Sequence, residues 1–207
     1  HSNAGDTDGT GCRTASGLIS VEPCPPAQES RLLEVSPLIR SAFSEAPGYG
    51  RSLATTAMGP ASLHQWCVWI EPAVADPPDR WEQRWLTAVG AAFATWSGHL
   101  PLVRVQDPYH SHVQVLRQRP HRRLTAGGWR ASNGRSRLQL VEIRRQGVWR
   151  FEPKVTVLVS PELRAPVLQA TALHELGHAF GLWGHSSDPG DAMAVHQGQA
   201  PVLQLSK

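Results

Sequence analysis

The stretch His174-Glu175-Leu176-Gly177-His178-Ala179-Phe180-Gly181-Leu182-Trp183-Gly184-His185, with Met193 eight residues further on, decides how this chain of 207 residues is read. On a helix, His174 and His178 stand at i and i+4, so both imidazoles leave one face and can grip a single metal ion. Glu175 lies beside the first ligand, where it cannot easily reach the same ion. It can hydrogen-bond a water on that ion, which is the position of a general base. Gly181 is placed to end the helix, because a residue without Cβ readily takes the left-handed turn that reverses the chain. The reversal would bring His185 back towards the two histidines and complete a His₃ set for Zn²⁺ with one position open. The bland alternative is a His-rich amphipathic helix in a core. A helix-breaking Gly, a third His and a Met in order after HExxH make that accident rare.

The third ligand can be weighed within the sequence. Zinc proteases of the other large HExxH class draw a Glu from a later helix, and no Glu occurs from residue 179 to the end. Asp188, Asp191 and His196 remain as alternatives, but His185 follows the Gly turn directly and is preferred. Met193, after Pro189-Gly190, reads on bare physics as an ordinary core filler.

Through these residues the chain resembles the metzincin zinc metalloproteases, and the run His185-Ser186-Ser187-Asp188-Pro189-Gly190-Asp191-Ala192-Met193 looks most like the matrixin (matrix-metalloprotease-like) branch, bacterial relatives included. The clan pattern is HExxHxxGxxH. Here Gly184 stands at the third-His position and His185 one residue later, which calls for a small bulge at Gly184. The resemblance implies one catalytic zinc on His174, His178 and His185, Glu175 as catalytic base, and Met193 as a Met-turn flooring the imidazoles. It further implies an α+β domain in which a twisted, mixed five-stranded sheet is backed by one helix and faced by the active-site helix. Peptide-bond hydrolysis and a secreted or extracytoplasmic location follow from the same resemblance. Matrixin pro-segments silence the zinc with a cysteine thiolate, which makes Cys24 (in Pro23-Cys24-Pro25-Pro26) and Cys12 (in Gly11-Cys12-Arg13) candidates for a latency switch. A clan member would carry a further helix after the Met-turn. Only fourteen residues follow Met193, and Leu205-Ser206-Lys207 reads like the start of a helix, so that cover is expected to be missing.

Composition suits one domain with an extension. Hydrophobic residues make up 41% of the chain, enough for a sizeable core, and no run of 18 apolar residues occurs. Residues 1–60 are rich in Gly, Pro and Ser and read as a largely irregular leader, with one helical candidate around Arg31 to Phe43; residues 61–207 carry the periodic pattern. Within it, Trp66 to Ile70 reads as a strand holding Cys67 as a core thiol. Asp79 then caps a helix whose apolar face runs through Trp81, Trp85, Val89, Phe93 and Trp96 to Gly98. Leu102 to Val105, His112 to Leu116, Leu138 to Ile143 and Val155 to Val159 read as strands, and Pro166 opens the helix bearing His174. Leu138 to Ile143 is the expected edge strand for an extended substrate.

Ten arginines fall between Arg117 and Arg150, where Glu142 is the only acid. They alternate with apolar residues as an exposed strand face would, and no nucleic-acid motif accompanies them. A second, structural metal at His110, His112 and His121 is not expected, since Asp107 is the only nearby carboxylate. The reading is thus a zinc-dependent endopeptidase, monomeric by default, acting on protein or peptide, with no nucleic-acid or membrane partner. Two rivals stand beside it. A non-catalytic zinc protein would normally fill the fourth position, and no Cys lies near the motif; a polyanion-binding module on the Arg117 to Arg150 block would bind with a steep salt dependence.

Overall fold

The computed structural model describes residues 24–33, 55–56, 59–60, 63–197 and 200–206. In chain order the elements are β1 (Glu29–Leu32), β2 (Thr55–Thr56), β3 (Gly59–Pro60), β4 (Trp66–Ile70), α1 (Arg80–Ser97), β5 (Leu102–Val105), β6 (Val113–Arg117), β7 (Arg123–Thr125), β8 (Gly128–Arg130), β9 (Gly134–Arg145), β10 (Val148–Val159) and α2 (Ala165–Ala179). They form an α+β structure whose main sheet runs β1-β9-β10-β6-β4-β5. Neighbours from β10 through β6 and β4 to β5 are parallel, whereas β9 is antiparallel to both β10 and β1. No described helix is long and apolar enough to cross a membrane.

The central strands are parallel and covered on both faces, so they read as near-continuous apolar runs. Trp66, Cys67, Val68 and Ile70 of β4 are all buried, and so are Val113, Val115, Val155, Val157 and Val159 of β6 and β10. Trp85 and Val89 of α1 pack on this surface together with Leu168, Leu173 and Leu176 of α2. The two buried indoles of α1 are also fixed by hydrogen bonds, as buried polar atoms require: Trp85 Nε1 donates to the Val159 carbonyl at 3.1 Å and Trp96 Nε1 to the Leu173 carbonyl at 2.9 Å. The second bond ties α1 directly to the turn of α2 that carries His174. Helix α1 opens on a capping box, Asp79 accepting from Glu82 N–H and Glu82 from Asp79 N–H.

Several expectations are corrected. The sheet has six strands rather than five, because Glu29–Leu32 pairs with Val141–Arg144 of β9. Among the described residues the sheet thus takes in Glu29–Leu32 from the stretch 1–60, and Arg31 and Leu32, where the helical candidate starts, are strand, while the rest of that candidate and Cys12 lie outside the described residues. Trp81 is 48% exposed rather than core. It sits in the first turn of α1, and the guanidinium groups of Arg80 and Arg84 cover its ring at 4.8 and 4.3 Å. After Met193 the described chain is irregular, and Val202 and Leu205 pack on the core where a helix start was read at Leu205-Ser206.

The cysteines need the largest revision. Cys24 and Cys67 form a disulfide, so Cys67 is no free core thiol and Cys24 carries no thiolate for a metal. Around the bridge, Arg145 and Glu152 form a buried pair, with Nε 3.0 and 3.2 Å from the two carboxylate oxygens. Arg145 also donates to the Pro25 and Tyr109 carbonyls, so this arginine belongs to the interior and not to a solvated face. His110 reaches the Cys24 carbonyl, and His112 Nδ1 accepts from Cys67 N–H at 2.9 Å, which accounts for two of the histidines once weighed for a second metal. Closing a loop between cysteines 43 residues apart stabilises the fold by about 4 kcal/mol through restriction of the unfolded chain. Cys24→Ser/Cys67→Ala should accordingly lower the urea midpoint, and reduction of the parent should converge on the same value.

Burial pushes the His112 imidazole down to about 3, with help from the charges of Arg145 and Arg150. The unfolded histidine binds its proton near pH 6.5 and the folded one does not, so stability drops as pH falls through that window. Burial raises the neighbouring Glu152 carboxyl despite Arg145, which acts in the opposite sense. Comparison with His112→Asn separates the two: the parent's urea midpoint should fall more between pH 7 and 4.5 than the variant's. Equal slopes would show that His112 is not the titrating group.

Candidate metal centre

Helix α2 places His174, Glu175 and His178, and its C-terminus determines where His185 goes. The helix ends in a Schellman arrangement, with Gly181 N–H donating to the His178 carbonyl and Leu182 N–H to the Gly177 carbonyl, both at 3.0 Å. Gly181 takes φ 115°, a conformation closed to most side chains. The tightest part of the return is closed by Trp183 N–H to the Gly181 carbonyl, one residue before Gly184, which lies in a bend. His185 returns with its ring centroid 5.2 Å from that of His174 and 4.8 Å from that of His178. One nitrogen from each of the three lies within 4.8 Å of the others, the only such group of three or more metal-binding side chains among the described residues.

The protonation pattern fits a divalent metal. His174 Nδ1 donates to the Ala192 carbonyl at 2.9 Å, and His178 Nδ1 to the Leu182 carbonyl at 2.6 Å. With the proton held on Nδ1, Nε2 of each neutral ring keeps a lone pair for a ligand, the orientation that backbone acceptors impose on metal-binding histidines. Burial lowers the affinity of both rings for a second proton, taking His178 to about 4. The Gly181 turn thus serves twice, since the Leu182 carbonyl it sends back is the one that fixes His178. Trp183 stacks on His178 at 5.5 Å between centroids and restricts the ring further.

Met193 is fully buried beneath the helix. A Cβ at Gly177 would overlap Met193 Sδ and crowd Trp96 Cζ2 at 3.0 Å, so the glycine between the two histidines is required by close approach. The loop holding Met193 is closed by Met193 N–H to Asp191 Oδ1 at 2.8 Å and Ser186 N–H to the Met193 carbonyl at 2.8 Å. Asp191 is therefore engaged in the loop, and Asp188 Oδ1 accepts from Gly190 N–H at 2.8 Å. Neither aspartate joins the histidine cluster, and nor does His196.

Glu175 projects from the same helix towards the start of β9. The Ser136 hydroxyl donates to its Oε2 at 2.6 Å and is also 2.9 Å from its backbone carbonyl. Burial pushes the Glu175 carboxyl up to about 7, against the Ser136 hydrogen bond and the charge of Arg135, which favour the anion. Gly134 makes the contact possible: a Cβ there would stand 2.7 Å from Glu175 Cγ and from Thr171 Cγ2. Neither Gly134 nor Ser136 was singled out in the sequence. Asn133-Gly134 announces a turn, but nothing in the one-dimensional pattern says that β9 passes this close to α2. Beside Glu175 opens a cavity of about 420 Å³ lined by His174, Thr171, Arg164, Ser132 and the Val195–Gln197 segment.

The expected edge strand moves as well. Val141 to Arg144 of β9 are covered by β1, whereas residues 134–139, those nearest Glu175, carry no outer strand among the described residues. No family model matches the chain, and no curated protein shows significant sequence similarity to it.

Proposed function

We propose that this chain is a zinc-dependent endopeptidase of metzincin, matrixin-like type. The observation that carries the proposal is the convergence of three imidazoles, two of them held in the Nδ1–H tautomer by backbone carbonyls, next to a buried carboxylate that lines an open cavity. The mixed six-stranded sheet and its two helices agree with this reading at the level of the α+β class. Zinc bound by His174, His178 and His185 would supply Lewis acidity and acidify a water molecule. Glu175 accepts a proton from the attacking water and returns it to the leaving amine, and a carboxyl whose pKa lies near neutrality is suited to both halves of that transfer. Ser136 orients the carboxylate, and Met193 fills the space under the rings. An extended peptide would lie along residues 134–139 and place one side chain in the cavity beside Glu175. The Cys24–Cys67 bridge favours an oxidising, extracytoplasmic setting.

The ligand set is tested by metal analysis of the purified full chain. About one Zn²⁺ per molecule is expected, with His185→Ala losing it and His196→Ala keeping it. Equal retention in both variants would remove His185 from the site, and absence of zinc from the parent after zinc loading would overturn the proposal.

A further inference from the structure

Glu175 lines one arginine-bearing cavity, and a second lies along β9 beside Ser136, the hydrogen-bond partner of Glu175. The first, of about 420 Å³, has Arg164 at the N-terminal end of α2 as its only fixed positive charge, and Glu175 is the only carboxylate in its wall. The second, of about 350 Å³, lies on the opposite face of β9, where Arg135 and Arg137 alternate with the inward Ser136, and Arg123 from β7 closes it. No carboxylate lines this second cavity. Among the described residues, Arg123, Arg137 and Arg164 take part in no ion pair. Arg119, Arg144, Arg145 and Arg117, by contrast, are each matched to a glutamate. Arg122, Arg130 and Arg150 of the same stretch, and Arg80, Arg84 and Arg104 outside it, are equally unmatched among the described residues, so what sets Arg123, Arg137 and Arg164 apart is their place on the two cavities beside β9. Arg123 and Arg135 stand close enough for their charges to oppose each other, a repulsion that an anion between them would relieve.

We infer that the site selects acidic peptide substrates, with Asp or Glu side chains entering the Arg164 cavity and the Arg123–Arg135–Arg137 groove on either side of the scissile bond. This inference rests on the peptidase reading of the same centre. A peptide is favoured over other polyanions because both cavities adjoin residues 134–139 of β9, which carry no outer strand among the described residues and along which an extended chain can hydrogen-bond. The groups are partly solvated, so each contact is modest and salt-sensitive, and their sum is expected to be on the order of tenfold in kcat/KM.

The test uses the zinc-loaded full chain and fluorogenic peptides of one length and one central sequence, flanked by Glu, Gln or Lys. The expected order of kcat/KM is Glu, then Gln, then Lys, with the Glu-to-Gln ratio near tenfold at low salt and shrinking as salt rises. Arg137→Gln and Arg164→Gln should each lower that ratio towards one. A flat or reversed order in a protein that cleaves the peptides would overturn the inference. A second arm does not need turnover: a fluorescein-labelled glutamate-rich peptide should bind the Glu175→Ala chain more tightly than its lysine-rich counterpart, by anisotropy. Acidic-peptide binding without cleavage of any peptide by the parent would leave the recognition standing and sink the peptidase reading. Tighter binding of a sulfated oligosaccharide than of the acidic peptide would overturn the assignment to peptides.

Discussion

Glu175→Gln is expected to leave zinc content intact and to reduce peptide hydrolysis on the order of 10²-fold or more. Glutamine has the same shape, and its amide oxygen can still accept the Ser136 hydroxyl that lies 2.6 Å from Oε2. Packing at the junction of α2 and β9 is therefore preserved, and what disappears is the capacity to take and return a proton. The carboxylate is not a metal ligand in this geometry, so metal analysis should give the parent's stoichiometry. A variant that hydrolyses peptide at the parental rate would place the base elsewhere. A variant that loses both metal and activity would show instead that Glu175 supports the ligand set.

Gly134→Ala is the second large effect, and it acts through position alone. The added methyl would have to occupy space 2.7 Å from Glu175 Cγ and Thr171 Cγ2 and 3.1 Å from Glu175 Oε1. Backbone and helix must separate, or the carboxylate must swing away, and displacement of a catalytic group by a fraction of an ångström to an ångström costs on the order of tenfold to a hundredfold in rate. Zinc content should hold, because the three histidines are fixed by Ala192, Leu182 and the Gly181 turn rather than by β9. Gly90→Ala supplies the contrast. No atom lies within 4 Å of a Cβ at Gly90 in α1, so that variant should gain up to about 1 kcal/mol in stability and keep its activity. If Gly134→Ala is as active as Gly90→Ala, close approach of β9 does not position Glu175.

The histidine cluster was legible because helical spacing and a helix-ending glycine are local properties. His174 and His178 share a face through i, i+4 geometry, and Gly181 carries its conformational signature in its identity. The α1 helix and the central strands were legible for a similar reason, since the continuous apolar run of β4 or the four-residue rhythm of α1 is set by what each residue buries. The rest depended on contacts between distant segments. Strand β1 has four exposed side chains and no apolar alternation, so only its pairing with Val141–Arg144 defines it. The Cys24–Cys67 pairing could not be read from three cysteines in unlike contexts. Arg145 looked like its solvated neighbours, yet Glu152 across the β9–β10 hairpin and the carbonyls of Pro25 and Tyr109 draw it inside. Ser136 and Gly134 gained their roles only where β9 meets α2.

The disulfide gives the N-terminal strand an unusual bond to the rest of the molecule. Chain continuity joins β1 to the sheet through residues 33–63, and Cys24–Cys67 joins it a second time, closing a covalent ring. A single peptide-bond cut within that ring opens it without producing two molecules. The severed N-terminal piece keeps its place against β9 by hydrogen bonds and stays attached through sulfur, so such a cut is silent in mass on a non-reducing gel and appears as two fragments only when thiol is added.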